Sequence, residues 1–84
     1  MAQFLVEVYL SRSDGSGAPA ARAREVAEQL TREGTSVRYL SSIFVPEDET
    51  CFFLYQADSA EAVHEAARRA SLAFERVSQA VAGS

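Results

Sequence analysis

The chain has 84 residues, 48% of them hydrophobic and 24% charged, a composition that fits an ordinary folded domain and excludes a disordered segment. A chain this short buries only about 60–65% of the surface exposed when it is unfolded, so self-association would add stability. The net charge is −4 and every basic residue is an arginine, with Arg68-Arg69 beside Glu65 the sole adjacent pair; phosphate neutralisation needs a concentrated basic patch, which argues against a nucleic-acid partner.

Gln3 to Leu10 alternates, with Phe4, Val6, Val8 and Leu10 on one side and Leu5, Glu7 and Tyr9 on the other. This is the pattern of a half-buried strand carrying a charge on its second face. Ser11 to Gly17 is a loop by composition. Pro19 suits a first helical turn, where its missing N–H costs nothing. Ala23, Val26, Ala27 and Leu30 then recur at helical spacing, and Gly34 is placed to end that helix. Val37 to Val45 and Thr50 to Ala57 read as two strands joined by the short turn Pro46-Glu47-Asp48-Glu49, hence a hairpin. Asp58-Ser59-Ala60-Glu61 opens a second helix with a capping residue and a nearby acid. Its buried stripe is Val63, Ala66, Ala67 and Ala70, and Phe74 to Val81 alternates again as a last strand.

The order βαββαβ predicts a single α+β domain over residues 1–84: a four-stranded antiparallel sheet with both helices on one face. Right-handed crossovers put the first and third strands at its centre. The other face must meet water or a partner. It would carry Leu5, Glu7, Tyr9, one parity of the middle strands and Arg76, too apolar a set to be left wet. A homodimer is therefore expected. The first and last strands should be neighbours, bringing Glu7 and Arg76 within reach. The pair is either a structural ion pair at the dimer face or a polar anchor in a pocket, because a charge there needs a partner.

The single cysteine excludes an intramolecular disulfide and paired-cysteine zinc motifs, and the single histidine excludes a two-histidine motif. The glycines fit neither dinucleotide nor P-loop spacing, so no organic cofactor is expected, and no catalytic set emerges. No apolar run approaches the roughly 20 residues of a membrane span, and the N-terminus lacks signal-peptide features, which predicts a cytoplasmic protein. Glu47, Asp48 and Glu49 crowd three carboxylates into one turn, read as a solvated loop or as oxygen ligands for a cation. His64 lies beside the apolar stripe of its helix, with Glu61 three residues earlier. It is either an exposed histidine or half of a surface site for a borderline cation such as nickel. Cys51 is a small core hydrophobe or a thiolate ligand. Tyr9, Tyr39 and Tyr55 are core or interface residues whose hydroxyls should reach a polar rim, or the lining of a small-molecule pocket.

The segments Phe-Leu-Val-Glu-Val-Tyr-Leu at 4–10, Val-Arg-Tyr-Leu-Ser-Ser-Ile-Phe-Val-Pro-Glu-Asp-Glu-Thr-Cys-Phe at 37–52 and Ala-Phe-Glu-Arg-Val at 73–77 resemble a family of small bacterial proteins. That family is known as a domain of unknown function and includes a nickel-binding protein. Pro-Glu-Asp-Glu-Thr-Cys is the most specific part of the match. The resemblance implies a ferredoxin-like fold, a dimer, and nickel binding at the dimer surface in sequestration or detoxification. A non-enzymatic metal-binding protein is the leading expectation. The alternative is a small-molecule binder or enzyme of the dimeric α/β-barrel kind, with a pocket lined by Glu7, the tyrosines and Arg76.

Overall fold

The computed structural model describes residues 1–10 and 17–81, so the loop expected over Ser11 to Gly17 lies outside the described residues except for Gly17. The elements are β1 (Ala2–Tyr9), α1 (Ala18–Arg32), β2 (Val37–Val45), β3 (Thr50–Ala57), α2 (Ala60–Arg69) and β4 (Phe74–Ala80), with a short 3₁₀ turn at Pro46–Asp48. The sheet runs β2-β3-β1-β4 and every pairing is antiparallel, the ferredoxin-like arrangement, with the first and third strands at its centre.

Alternation on the central strands separates the two faces. Phe4, Val6 and Val8 of β1 and Cys51, Phe53, Tyr55 and Ala57 of β3 are buried beneath the helices. α1 contributes Ala23, Ala27 and Leu30 to this core, and α2 contributes Val63, Ala66 and Ala67. The alanines of α2 are buried in this core while each still favours helix.

The helix ends are specified locally. Pro19 occupies the first turn of α1. At the other end the Gly34 N–H donates to the Thr31 carbonyl and the Thr35 N–H to the Leu30 carbonyl, a Schellman stop with Gly34 at φ 102°. α2 starts where the Ser59 hydroxyl accepts a hydrogen bond from the Ala62 N–H at 3.2 Å. It ends in the same Schellman geometry, from Ser71 to Arg68 and from Leu72 to Ala67. Here the left-handed position belongs to Ser71, at φ 60°.

The two helices are also tied to each other. Arg22 Nε donates to the Ala70 carbonyl at 3.1 Å. Arg69 reaches Glu33 at 3.0 Å and Glu65 at 3.2 Å, while Glu65 also pairs with Arg68. Arg68, hydrogen-bonded to Glu65, is the main reason its carboxyl is held below the usual carboxylate range, with Arg69 adding to the effect.

Candidate functional site

The sheet face away from the helices is built from registered rows of side chains, three of which carry its large apolar groups. Ile43, Phe52, Glu7 and Arg76 form one continuous row across the strands. Ser41, Leu54, Leu5 and Ser78 form the next, and Val45, Thr50 and Tyr9 lie on the other side. Ile43 is 64% exposed and Tyr9 56%, so large apolar groups stand in water on this face. The expected neighbours meet: Arg76 Nη2 donates to Glu7 Oε1 at 3.3 Å. Glu7 is half-buried and Arg76 exposed, so within one chain the pair contributes no more than about 1 kcal/mol.

The residues proposed to share a pocket divide between the two faces. Glu7, Tyr9 and Arg76 lie on the open one, whereas Cys51 and Tyr55 point into the helix-covered core and half-buried Tyr39 packs against that core. The register decides this, because Phe53 pairs with Val6 and Tyr55 with Phe4, both core residues. A pocket combining Glu7, the three tyrosines and Arg76 on the open face is therefore excluded. The expectation that each tyrosine hydroxyl reaches a polar rim also fails at Tyr55. Its ring is fully buried against Tyr39, 5.9 Å away between centroids, and its hydroxyl has no hydrogen-bond partner among the described residues. Burial first, then the Tyr39 phenol, push the Tyr55 phenol well above its ordinary range. Burial likewise pushes the Cys51 thiol up, opposed by a hydrogen bond with Ser42, so Cys51 is held as a neutral thiol.

The candidate metal ligands lie on two separate elements. His64 is exposed on α2, its ring edge-on to Phe74 with centroids 5.6 Å apart, and Glu61 is exposed three residues earlier. Glu47 and Asp48 are exposed in the 3₁₀ turn. Half-buried Glu49 follows with φ 49°, and its carbonyl accepts a hydrogen bond from the Leu10 N–H at 2.8 Å. Among the described residues no three His, Cys, Asp or Glu side chains gather closely enough to hold a metal ion. One chain's described donors therefore do not fit a closed nickel site. Such a site would need donors from outside those residues, from water or from a second copy.

Sequence reasoning missed a concave region of about 490 Å³ between α1 and the edge strand β2. Arg24, Glu28, Thr31, Arg32, Arg38 and Tyr39 line it. The spacing of Arg24, Glu28 and Arg32, one helical turn apart, was a visible signal. Their meeting with Arg38 depends on how α1 crosses the sheet.

A family model described as nickel responsive protein SCO4226-like matches residues 9–80. The chain belongs to this SCO4226-like family. Its fold is also that of the crystal structure of SCO4226 from Streptomyces coelicolor A3(2), with a TM-score of 0.67. That match covers 99% of this chain and 100% of the other at 16% sequence identity, and at such identity it bears on the fold alone. No curated protein matches the chain. Among the described residues, no helix of this SCO4226-like protein is long and apolar enough to cross a membrane.

Proposed function

We propose that this SCO4226-like protein is a non-enzymatic, dimeric nickel-binding protein of the cytoplasm that takes the ion at the exposed surface of α2. The carrying observation is the state of the carboxylates around His64. Glu65 is engaged by Arg68 and Arg69, whereas Glu61 forms no ion pair among the described residues. His64 and Glu61 stand three residues apart on one helix, a spacing at which side chains are neighbours. They offer nickel one imidazole, the borderline donor suited to a late first-row divalent ion, and one carboxylate that adds charge. Two donors bind weakly, so the remaining positions fall to water or to groups from another copy. Family membership supports the nickel assignment. The engagement of Glu7 by Arg76 supports the open sheet face as a surface for a second copy, since neither group is left free for chemistry.

The test is calorimetric titration of tag-free protein with nickel chloride, repeated on His64→Ala and Glu61→Gln. The proposal expects saturable heat in the parent protein, abolished by the first substitution and weakened by the second. Heat no greater than nickel into buffer, or heat that persists unchanged in His64→Ala, rejects it.

A further inference from the structure

The arginines of this acidic protein are not spread evenly over its structure. Of those among the described residues, Arg68 and Arg69 are held by Glu65 and Glu33, Arg76 by Glu7, and Arg22 by the Ala70 carbonyl. The other three, Arg24, Arg32 and Arg38, form no ion pair among the described residues, and all line the cleft between α1 and β2. We propose that this cleft binds a small soluble anion carrying two or more carboxylate or phosphate groups.

Size, charge and rigidity all support that assignment. At about 490 Å³ the cleft falls within the range of small-molecule sites. Three arginines face the single carboxylate of Glu28, so the lining is net positive on a protein whose net charge is −4. Guanidinium groups present planar donor forks that match carboxylate and phosphate oxygens, and a ligand with several anionic groups can engage more than one. Arg24 is oriented in advance, its guanidinium carbon 5.5 Å from the centre of the Tyr39 ring. Thr31 Oγ1 donates to the Val37 carbonyl at 2.7 Å and pins the end of α1 to the start of β2. The last-turn carbonyls of Leu30 and Thr31 already accept hydrogen bonds from Thr35 and Gly34, which reduces the repulsion a helix C-terminus would exert on an anion. Arg38 belongs by its pairing with Gln56 to the open-face parity, so it forms the rim of the cleft where the edge strand ends the sheet.

The experiment follows backbone amide resonances while citrate and, separately, pyrophosphate are added to nickel-free protein at physiological ionic strength. Saturable shifts over the second half of α1 and the start of β2 are expected with at least one probe, and the tighter probe tells carboxylate from phosphate preference. Arg32→Gln and Arg38→Gln should each weaken binding about tenfold, the loss expected for one charge-assisted hydrogen bond. Arg68→Gln removes the same charge elsewhere and should leave affinity unchanged. Glu28→Gln should tighten binding, a gain that misfolding does not imitate. Non-saturating shifts with both probes, equal weakening by Arg68→Gln, or no gain from Glu28→Gln overturns the assignment.

Discussion

Replacing Tyr55 by Phe should make the protein more stable. The Tyr55 ring is fully buried and keeps its edge-on contact with Tyr39 after the change, so only the hydroxyl is lost. That hydroxyl has no partner among the described residues, and a buried unpaired polar group costs about 1–3 kcal/mol. The space left is smaller than a methyl group, which limits the cavity penalty to less than about 1 kcal/mol. A net gain of about 1 kcal/mol is expected, and in a domain of this size that raises Tm by about 4–8 °C. The same substitution carries a pH signature. Because folding raises the Tyr55 pKa, the folded chain keeps the phenolic proton after the unfolded chain begins to release it near the ordinary value of 10.0. The folded state then binds more protons, so this stability is complete below that pH and is lost as pH rises, at up to about 1.4 kcal/mol per unit. Cys51 adds a similar decline from its ordinary value of 9.0, but it is common to both proteins and cancels in their difference. Urea denaturation of parent and variant at one protein concentration, at neutral and alkaline pH, should therefore show a gap that widens with pH. A variant less stable than the parent at neutral pH would mean that the hydroxyl is satisfied, by water or by a residue outside the described set, and would refute the reasoning.

Two further outcomes follow from the backbone and the open face. Ser71→Gly should stabilise the fold by roughly 0.5–1 kcal/mol, because an L-residue at φ 60° carries a steric cost that glycine avoids, partly offset by glycine's greater unfolded-state entropy. Thermal melts check this, and an unchanged or lower Tm would show that the Ser71 side chain makes a compensating contact. Light scattering at micromolar concentration should give the mass of a dimer for the parent and of a monomer for Ile43→Glu, which puts a charge at a 64%-exposed position of the open face. A monomeric parent removes the dimer from the proposed function.

The order of elements and the central position of β1 could be read from sequence because each signal is local. Strand alternation, the Pro46 turn, the Ser59 cap and the Gly34 stop each act within a few residues, and crossover handedness supplies the remaining topology. That topology makes the first and last strands neighbours and so puts Glu7 and Arg76 within reach; the register that sets them opposite each other comes from the strand pairing itself.

The facing of the middle strands resisted the same treatment for two physical reasons. In Thr50–Ala57 both parities are largely apolar, so alternation gives no sign; the pairing of Phe53 with Val6 decides it. In Val37–Val45 the register slips between Tyr39 and Ser41, leaving Leu40 as an extra residue. Tyr39 and Val37 therefore face the helices, but beyond the slip Ser42 and Phe44 do so while Ser41 and Ile43 face outward. A period of two continued across Leu40 would place Ile43 in the core and Phe44 in solvent. The same irregularity bears on the candidate sites. It exposes Ile43 beside Phe52 on the open face, and it occurs in the edge strand just after Arg38 and Tyr39, where the cleft under α1 opens. Removing Leu40 should thus leave Ser41 and Ile43 facing outward and Ser42 and Phe44 facing the helices, because Tyr39 and Ser41 already pair with the successive residues Tyr55 and Leu54 and only the extra residue is lost.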